Sequence, residues 1–198
     1  MIYTLIAGSL LAILSFYVVD NRHTLLAIFY QTLNLQDKAV EEFTEAVKSN
    51  PDDAYAYYQI GLTYKERKDY DKAEVAYKKL LDIFPGHPFA NYDLGYVYKE
   101  KRDYEKAMAR YKKALEINPG NVHALYDMAS IYVESGQYEE ALAQYQKVLE
   151  EDPSHRYALW DIAAVYGKMG MKDEAEARLR RYHEMTDCSF RRFWNCFD

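Results

Sequence analysis

The amino-acid sequence predicts an all-α fold: an α-solenoid of about five helix-turn-helix repeats, preceded by one transmembrane helix. Two observations predict it. Four prolines, Pro51, Pro85, Pro119 and Pro153, are evenly spaced along the chain. Self-similarity at such a period, about 34 residues, is typical of stacked helical hairpins. In addition, the N-terminal segment MIYTLIAGSLLAILSFYVV contains no charged side chain.

The N-terminal segment, residues 1–19, has the length and composition of a membrane anchor. As a helix it would span about 28 Å, close to the ~30 Å hydrocarbon core of a bilayer. Tyr3, Phe16 and Tyr17 stand near its ends, where rings favour the membrane interfaces. No lysine or arginine precedes the segment and no small-residue cleavage site follows it, so a cleaved signal peptide is the less favoured alternative. Arg22 favours a cytoplasmic location for the rest of this single-pass protein, and a periplasmic or lumenal location stays open.

Each repeat contains two segments of helical length. In DYEKAMARYKKALEI, residues 103–117, apolar side chains recur at three- and four-residue steps, which is helical spacing. A second such segment lies after each proline, for example AYAYYQIGLTYKER at residues 54–67. Proline separates the repeats because it lacks the N–H that a continuing helix needs. Numbering each repeat so that its proline holds position 32 gives residues 20–53, 54–87, 88–121, 122–155 and 156–187.

Small residues and rings recur at fixed positions of the repeats. Position 8 holds Ala27, Gly61, Gly95, Ala129 and Ala163. Position 20 holds Ala39, Ala73, Ala107, Ala141 and Ala175. Position 11 holds Tyr30, Tyr64, Tyr98, Tyr132 and Tyr166. Position 24 holds Phe43, Tyr77, Tyr111, Tyr145 and Leu179. Small residues let two helices approach closely, while the rings fill the space between them.

With these residues the chain resembles the tetratricopeptide repeat (TPR) family over roughly residues 20–189. The resemblance implies a right-handed solenoid, in which positions 2, 5, 6, 9, 12 and 13 of each repeat line a concave groove. Here the groove positions hold mainly rings and carboxylates: Tyr55, Tyr58, Phe89, Tyr92, Asp93, Tyr96, His123, Tyr126, Asp127, Tyr157, Trp160 and Asp161. Since the groove lacks the cationic residues that clamp a free carboxylate in some TPR proteins, we do not expect a receptor for chaperone tails.

The composition of this groove suggests its ligand. Aromatic rings provide large contact area at low entropic cost, and carboxylates attract lysine and arginine. We therefore expect the groove to bind a basic and apolar peptide segment of a partner protein. The aspartates support this expectation, because three aligned acids repel one another and gain nothing from core packing. The alternative is that the rings pack against one another between repeats.

The C-terminal residues 188–198 form a basic and aromatic tail, CSFRRFWNCFD. We expect this tail to cap the last repeat, since a solenoid needs its apolar end covered. Docking of the tail into the acidic groove is the alternative. Whether Cys188 and Cys196 form a disulfide stays open. One continuous helix would hold their Cα atoms about 12 Å apart, which is too far, whereas a hairpin would allow the bond.

Composition and motifs exclude several functions. The net charge is −6 and the pI about 5.4, so no basic face for nucleic acid is expected. The scattered glycines and histidines form no phosphate loop, catalytic motif or metal-ligand spacing. We therefore expect no enzyme activity, cofactor or metal. We also expect His87 and His155 to be solvated in turns, and the Lys/Glu runs to form exposed faces with i,i+4 pairs.

The sequence as a whole predicts a membrane-anchored protein-interaction module. It would act as an assembly factor, or as an accessory or scaffold subunit, of a membrane-associated complex and would bind a protein partner. The alternative is a structural scaffold on a membrane that associates with further copies of itself. Confinement to a membrane surface would raise the effective concentration near membrane-bound partners.

Overall fold

The computed structural model describes the backbone of residues 21–194 and the side chains of residues 21–185. Within this range the chain forms ten α-helices and no strand: α1 (Arg22–Thr32), α2 (Gln36–Ser49), α3 (Ala54–Glu66), α4 (Tyr70–Ile83), α5 (Ala90–Glu100), α6 (Tyr104–Ile117), α7 (Val122–Glu134), α8 (Tyr138–Glu151), α9 (Arg156–Lys168) and α10 (Lys172–Trp194). Two helices fall in each predicted repeat. The predicted all-α, repeat-based fold is therefore confirmed.

The predicted localisation as a single-pass membrane protein is wrong by this structure. The anchor assigned to residues 1–19 lies outside the described residues. Among the helices that the structure does describe, none combines the length and the apolar character needed to cross a bilayer. The reason is compositional: helices α1 to α10 carry charged and polar residues on at least one face, as an amphipathic helix in a layered α-protein does.

The chain divides into two compact units, the first ending at Lys101 and the second beginning at Arg102. The N-terminal unit holds α1 to α5, and the C-terminal unit holds α6 to α10. Within each unit the second helix of a hairpin packs against its own first helix and against the first helix of the next hairpin. Such nearest-neighbour packing is the organising principle of solenoids.

The repeat positions explain the packing inside both units. All five small residues at position 8 are buried, and so are the position 24 rings Phe43, Tyr77, Tyr111 and Tyr145. The expectation of close helix contacts with rings filling the gaps is thus confirmed. At position 11, Tyr98 is buried, whereas the other tyrosines are half-buried at the margin of the core.

The first repeat differs from the later ones at position 7. Leu26 is 42% exposed, whereas Ile60, Leu94, Met128 and Ile162 are buried. In the later repeats the second helix of the preceding hairpin packs against the helix that carries this position. Since α1 is the first described helix, its face carries no such cover within the described residues.

The turns between repeats are closed by side-chain caps at position 34. The cap atoms are Asp53 Oδ1, His87 Nδ1, Asn121 Oδ1 and His155 Nδ1, and each accepts the N–H of the residue three places on, at 2.9–3.1 Å. A capping acceptor satisfies a backbone donor that the helix itself leaves unpaired. Asp53, Asn121 and His155 directly precede α3, α7 and α9, whereas α5 begins at Ala90, the residue whose N–H His87 accepts.

The helix C-terminal to residue 171 is longer than the other second helices. Helix α10 has 23 residues, whereas α2, α4, α6 and α8 have 14 each. It continues through residues 188–194, so the backbone of the predicted tail begins as an extension of the last repeat. Cys188 lies in this helix, and Cys196 lies outside the described residues. The capping role of the tail stays a prediction.

Candidate functional site

Six predicted groove residues lie in the N-terminal unit and form what we call the N-terminal ring surface: Tyr55, Tyr58, Phe89, Tyr92, Asp93 and Tyr96. Phe89 is 59% exposed and Tyr55 is also exposed, whereas the other tyrosines are half-buried. A cleft of about 320 Å³ beside Tyr92 and Tyr96 is lined further by Lys65 and three neighbouring residues. The surface thus combines freely accessible rings with partly recessed ones.

Asp93 is the polar centre of the N-terminal ring surface. Its carboxylate is buried, accepts the Tyr58 hydroxyl at 3.3 Å and lies 2.5 Å from the Lys65 ammonium. Burial, reinforced by the Asp93 charge, raises the pKa of Tyr58, so the hydroxyl keeps its proton and donates. The ammonium groups of Lys65 and Lys99 also lie over the Tyr96 ring, at 5.8 and 5.2 Å from its centroid.

The other six predicted residues form the C-terminal ring surface: His123, Tyr126, Asp127, Tyr157, Trp160 and Asp161. Tyr157 and Trp160 are 59% and 50% exposed, His123 is exposed, and Tyr126 and Asp161 are half-buried. The Trp160 ring contacts Tyr182 of α10, with centroids 5.5 Å apart. Despite this contact, half of the Trp160 surface is accessible to a ligand.

Asp127 and Asp161 are also bonded by tyrosine hydroxyls. Buried Asp127 accepts the Tyr111 hydroxyl at 3.2 Å, and Asp161 accepts the hydroxyl of Tyr126. Burial, followed by the Asp161 bond, raises the pKa of Tyr126. Burial and the Asp161 charge likewise raise the pKa of Tyr145. These tyrosines are protonated donors at neutral pH.

These bonds correct one argument from the sequence. The aspartates were expected to gain nothing from packing, but each one accepts tyrosine hydroxyls from the repeat before it. These bonds allow Asp93 and Asp127 to be buried, because a buried carboxylate must be hydrogen-bonded. The aspartates therefore join consecutive repeats, and the exposed rings are the part of the predicted site most accessible to a partner. The assignment of all twelve residues to partner binding stays a prediction.

The expectation that His87 and His155 are simply solvated is wrong. Both are half-buried caps, and both contact rings of the two surfaces. His87 lies 4.8 Å from the Tyr58 ring and 6.3 Å from Phe89, and His155 lies 5.3 Å from Tyr126 and 6.2 Å from Tyr157. Burial lowers the pKa of His87, and the Asp93 charge opposes this only in part. The sequence signal for this role is the shared position 34, which asparagine and aspartate also occupy.

The charged helix faces carry more than the expected pairs within one helix. The i,i+4 pair Lys78–Glu74 is present at 2.6 Å. Other pairs join position 18 of one repeat to position 14 of the next, including Arg67–Asp37 and Lys101–Asp71, both at 2.7 Å. A search for opposite charges at matching positions of neighbouring repeats would have shown these bridges in the sequence.

Profiles of known families match most of the described chain. Profiles described as "Tetratricopeptide repeat" match residues 22–53, 52–120 and 99–146, and one described as "TPR repeat" matches residues 129–170. No curated protein matches the chain. The repeats predicted from the even spacing of the prolines are thus confirmed.

Solved structures with the same fold include the following three. "MamA 41-end from Desulfovibrio magneticus RS-1" is 18% identical, with a TM-score of 0.80, over 85% of this chain and 96% of that one. "YrrB: a TPR protein with an unusual peptide-binding site" is 22% identical, with a TM-score of 0.74, over 86% and 91%. "PilW, widely conserved type IV pilus biogenesis factor" is 23% identical, with a TM-score of 0.70, over 85% and 78%. At these identities the likeness shows an all-α TPR solenoid.

Proposed function

Because this chain is built from tetratricopeptide repeats, we propose that it is a protein-interaction module that binds a peptide segment of a partner protein on its ring surfaces. The segment is apolar with basic side chains. The protein acts as an assembly factor, or as an accessory or scaffold subunit of a complex, and no catalytic step is assigned to it.

The main support for the proposal is the exposure of the aromatic rings at position 2 of the repeats. Tyr55, Phe89 and Tyr157 are each about half or more exposed, although a folded protein of this kind buries rings of the same type elsewhere, as it does Tyr77 and Tyr111. Exposed rings are typical of binding sites, because they bury large area with few rotatable bonds.

Two of the solved structures support the kind of role. YrrB is described as having a peptide-binding site, and PilW as a biogenesis factor. Both are repeat proteins of comparable length that share this fold. A peptide ligand and a part in assembly are therefore consistent with what the fold does elsewhere, and the ring surfaces supply the chemistry here.

A selection of short peptides from a displayed random library tests the proposal. Selected peptides are expected to be rich in lysine, arginine and apolar residues. Phe89→Ala and Tyr157→Ala are expected to weaken binding at least about tenfold, as central aromatic anchors do. Val75→Ala is the control, because Val75 is 62% exposed on α4 and belongs to neither ring surface. Equal affinities for all three variants would contradict the proposal.

Self-association is the second candidate, and the face of α1 favours it. Leu25, Leu26, Phe29 and Leu33 are all exposed on or beside this helix. An apolar face of this kind suits contact with another copy. Sedimentation velocity at micromolar concentration tests it: Phe29→Glu is expected to shift a dimer toward monomer, whereas Val75→Glu is not. A wild-type chain that is monomeric throughout would contradict this candidate.

A further inference from the structure

The side chains at positions 12 and 6 of successive repeats form hydrogen-bonded pairs. The Gln31 amide donates to Gln59 at 2.9 Å, and the Lys65 ammonium donates to Asp93 at 2.5 Å. Both pairs have the same separation along the chain. In these pairs the residue at position 12 is therefore the donor to the polar group at position 6 of the following repeat.

The pair made by the fourth and fifth repeats lacks its donor. Position 6 of the fifth repeat holds Asp161, but position 12 of the fourth repeat holds Val133. Valine has no group to donate. Within residues 21–185, Asp161 accepts the Tyr126 hydroxyl and forms no ion pair with any lysine, arginine or histidine. Asp161 is also more exposed than Asp93, which is buried beneath its lysine.

The surroundings of Asp161 suit a cation from outside the chain. Trp160, the residue before it on α9, is 50% exposed, and the Tyr126 ring carries the hydroxyl that Asp161 binds. Tyr157 of the same helix is also exposed, but the Arg156 guanidinium already lies over its ring, 5.2 Å from the centroid. Ring faces attract ammonium and guanidinium groups, and a carboxylate beside them fixes the charge. A carboxylate and a ring already hold a cation in the N-terminal unit, where Lys65 lies between Asp93 and the Tyr96 ring. The fifth repeat has Ala164 at the position of Tyr96, so Trp160 is the ring that takes this part there.

We propose that Asp161, with the Trp160 ring, forms a subsite for a lysine or arginine side chain of the bound segment. The incoming cation takes the place that Lys65 holds beside Asp93. The subsite adds detail to the proposed function, and its biological role rests on that proposed function. It assigns basic side chains of the partner to the C-terminal ring surface only, because the carboxylate of Asp93 is already paired with an internal lysine.

The first experiment tests the subsite without a peptide. Propylammonium, which mimics the lysine side chain, is titrated against the protein at constant ionic strength, and the indole N–H signal of Trp160 is followed by NMR, with that of Trp194 as an internal reference. A saturable shift is expected with propylammonium and not with 1-propanol, which has the same chain without the charge. Equal shifts with both compounds, or none, would overturn the subsite.

Two substitutions at one position provide the matched variants. Val133→Lys restores the internal donor and is expected to abolish the propylammonium shift. Val133→Met has a long but uncharged side chain and is expected to keep it. Circular dichroism checks that both variants fold, and Asp161→Asn provides a second route to the same loss if Val133→Lys does not. A propylammonium shift that survives in both Val133→Lys and Asp161→Asn would overturn the inference.

The second experiment separates this inference from the proposed function. The peptides Ac-Ala-Leu-Lys-Leu-Ala-NH₂ and Ac-Ala-Leu-Gln-Leu-Ala-NH₂ are compared for binding. The lysine peptide is expected to bind at least about fivefold tighter, within the range for a partly exposed ion pair. Equal binding of the two would overturn the subsite and leave the proposed function standing. A propylammonium site without selectable peptide ligands would instead contradict the proposed function and leave the subsite standing.

Discussion

The ring of Tyr77 lies so close to Gly61 that a Cβ on residue 61 would stand 2.6 Å from the ring atom Cε1. Both residues are buried, and they bring α3 and α4 together in the second repeat. Because Tyr77 is fully enclosed, the ring has no free space into which to move. The absence of one methyl group at position 8 therefore determines how closely these two helices approach.

Gly61→Ala is expected to destabilise the N-terminal unit. The new methyl group would clash with the Tyr77 ring, and overpacking of this kind costs about 1–3 kcal/mol. The free energy of unfolding in urea measures the effect. Gly167→Ala is the matched control, since a Cβ on Gly167, near the end of α9, would meet no atom within 4 Å. That control is expected to gain up to about 1 kcal/mol from helix propensity, and a similar loss in both variants would contradict the explanation.

Tyr77→Phe and Tyr111→Phe are expected to have opposite effects. The Tyr77 hydroxyl is buried and has no hydrogen-bond partner among the described side chains, so its removal should be neutral or stabilising by up to about 1 kcal/mol. The Tyr111 hydroxyl donates to buried Asp127 at 3.2 Å. Its removal leaves that carboxylate with one donor fewer and should cost about 1–3 kcal/mol. Chemical denaturation of the two single variants checks the contrast, which equal losses would refute.

The hairpin turns carry a left-handed residue at position 15. Here φ is 60° at Lys68 and 61° at Arg102, whereas glycine holds the same position as Gly136 and Gly170. A side chain in this conformation costs about 1–2 kcal/mol, partly offset by the greater entropy that glycine loses on folding. We expect Lys68→Gly to stabilise the protein by about 0.5 kcal/mol and Gly136→Ala to destabilise it by about 1 kcal/mol. Thermal melting of each variant gives the signs, and the reverse order would show that position 15 is not strained.

The cap at His87 makes the stability of the N-terminal unit depend on pH. Its Nδ1 atom accepts the Ala90 N–H only when unprotonated, and burial lowers the pKa of this histidine below that in the unfolded chain. As the pH falls below about 6.5, the unfolded state takes up a proton that the native state does not. The contribution of His87 is thus present above that pH and is lost on acidification.

His87→Asn separates this effect from the other titrating groups. Asparagine caps the equivalent turn at Asn121 and does not titrate. The loss of unfolding free energy between pH 7.5 and 5.5 is therefore expected to be smaller in the variant than in the wild type. Denaturation with urea at the two pH values gives the comparison. An unchanged pH dependence would show that the histidine cap is not responsible.

The sequence predicted the packing positions well, because the same packing contacts recur in every repeat of about 34 residues. Position 8 must be small in every hairpin where two helices meet, and the same constraint returns in each repeat. Gly61 and Ala129 could therefore be assigned to helix contacts from the sequence alone. The prediction was weaker for Tyr64 and Tyr132, which lie at the margin of the core rather than inside it.

The polar interactions were harder to predict, because they join different positions in neighbouring repeats. Asp93 and Asp127 look like a solvent-facing column when each repeat is read alone, but their hydroxyl donors come from the preceding repeat. His87 resembles a solvated loop residue until its cap bond to Ala90 is seen. These contacts depend on how the hairpins stack. The internal period predicts that the hairpins stack, but it does not specify which positions of neighbouring repeats meet.

The tyrosine–aspartate bonds restrict the order in which the hairpins can follow one another. An aspartate at position 6 accepts a tyrosine hydroxyl from the hairpin before it, as Asp93 does from Tyr58 at position 5. The second repeat holds Gln59 instead, and the hairpin before it has no tyrosine at position 5 or 24, where it holds Thr24 and Phe43. Exchanging the second and third hairpins in a shuffled chain would place Asp93 after a hairpin that lacks both of these tyrosines. Although every module has the same length and outline, their succession along the polypeptide is encoded and cannot be permuted freely.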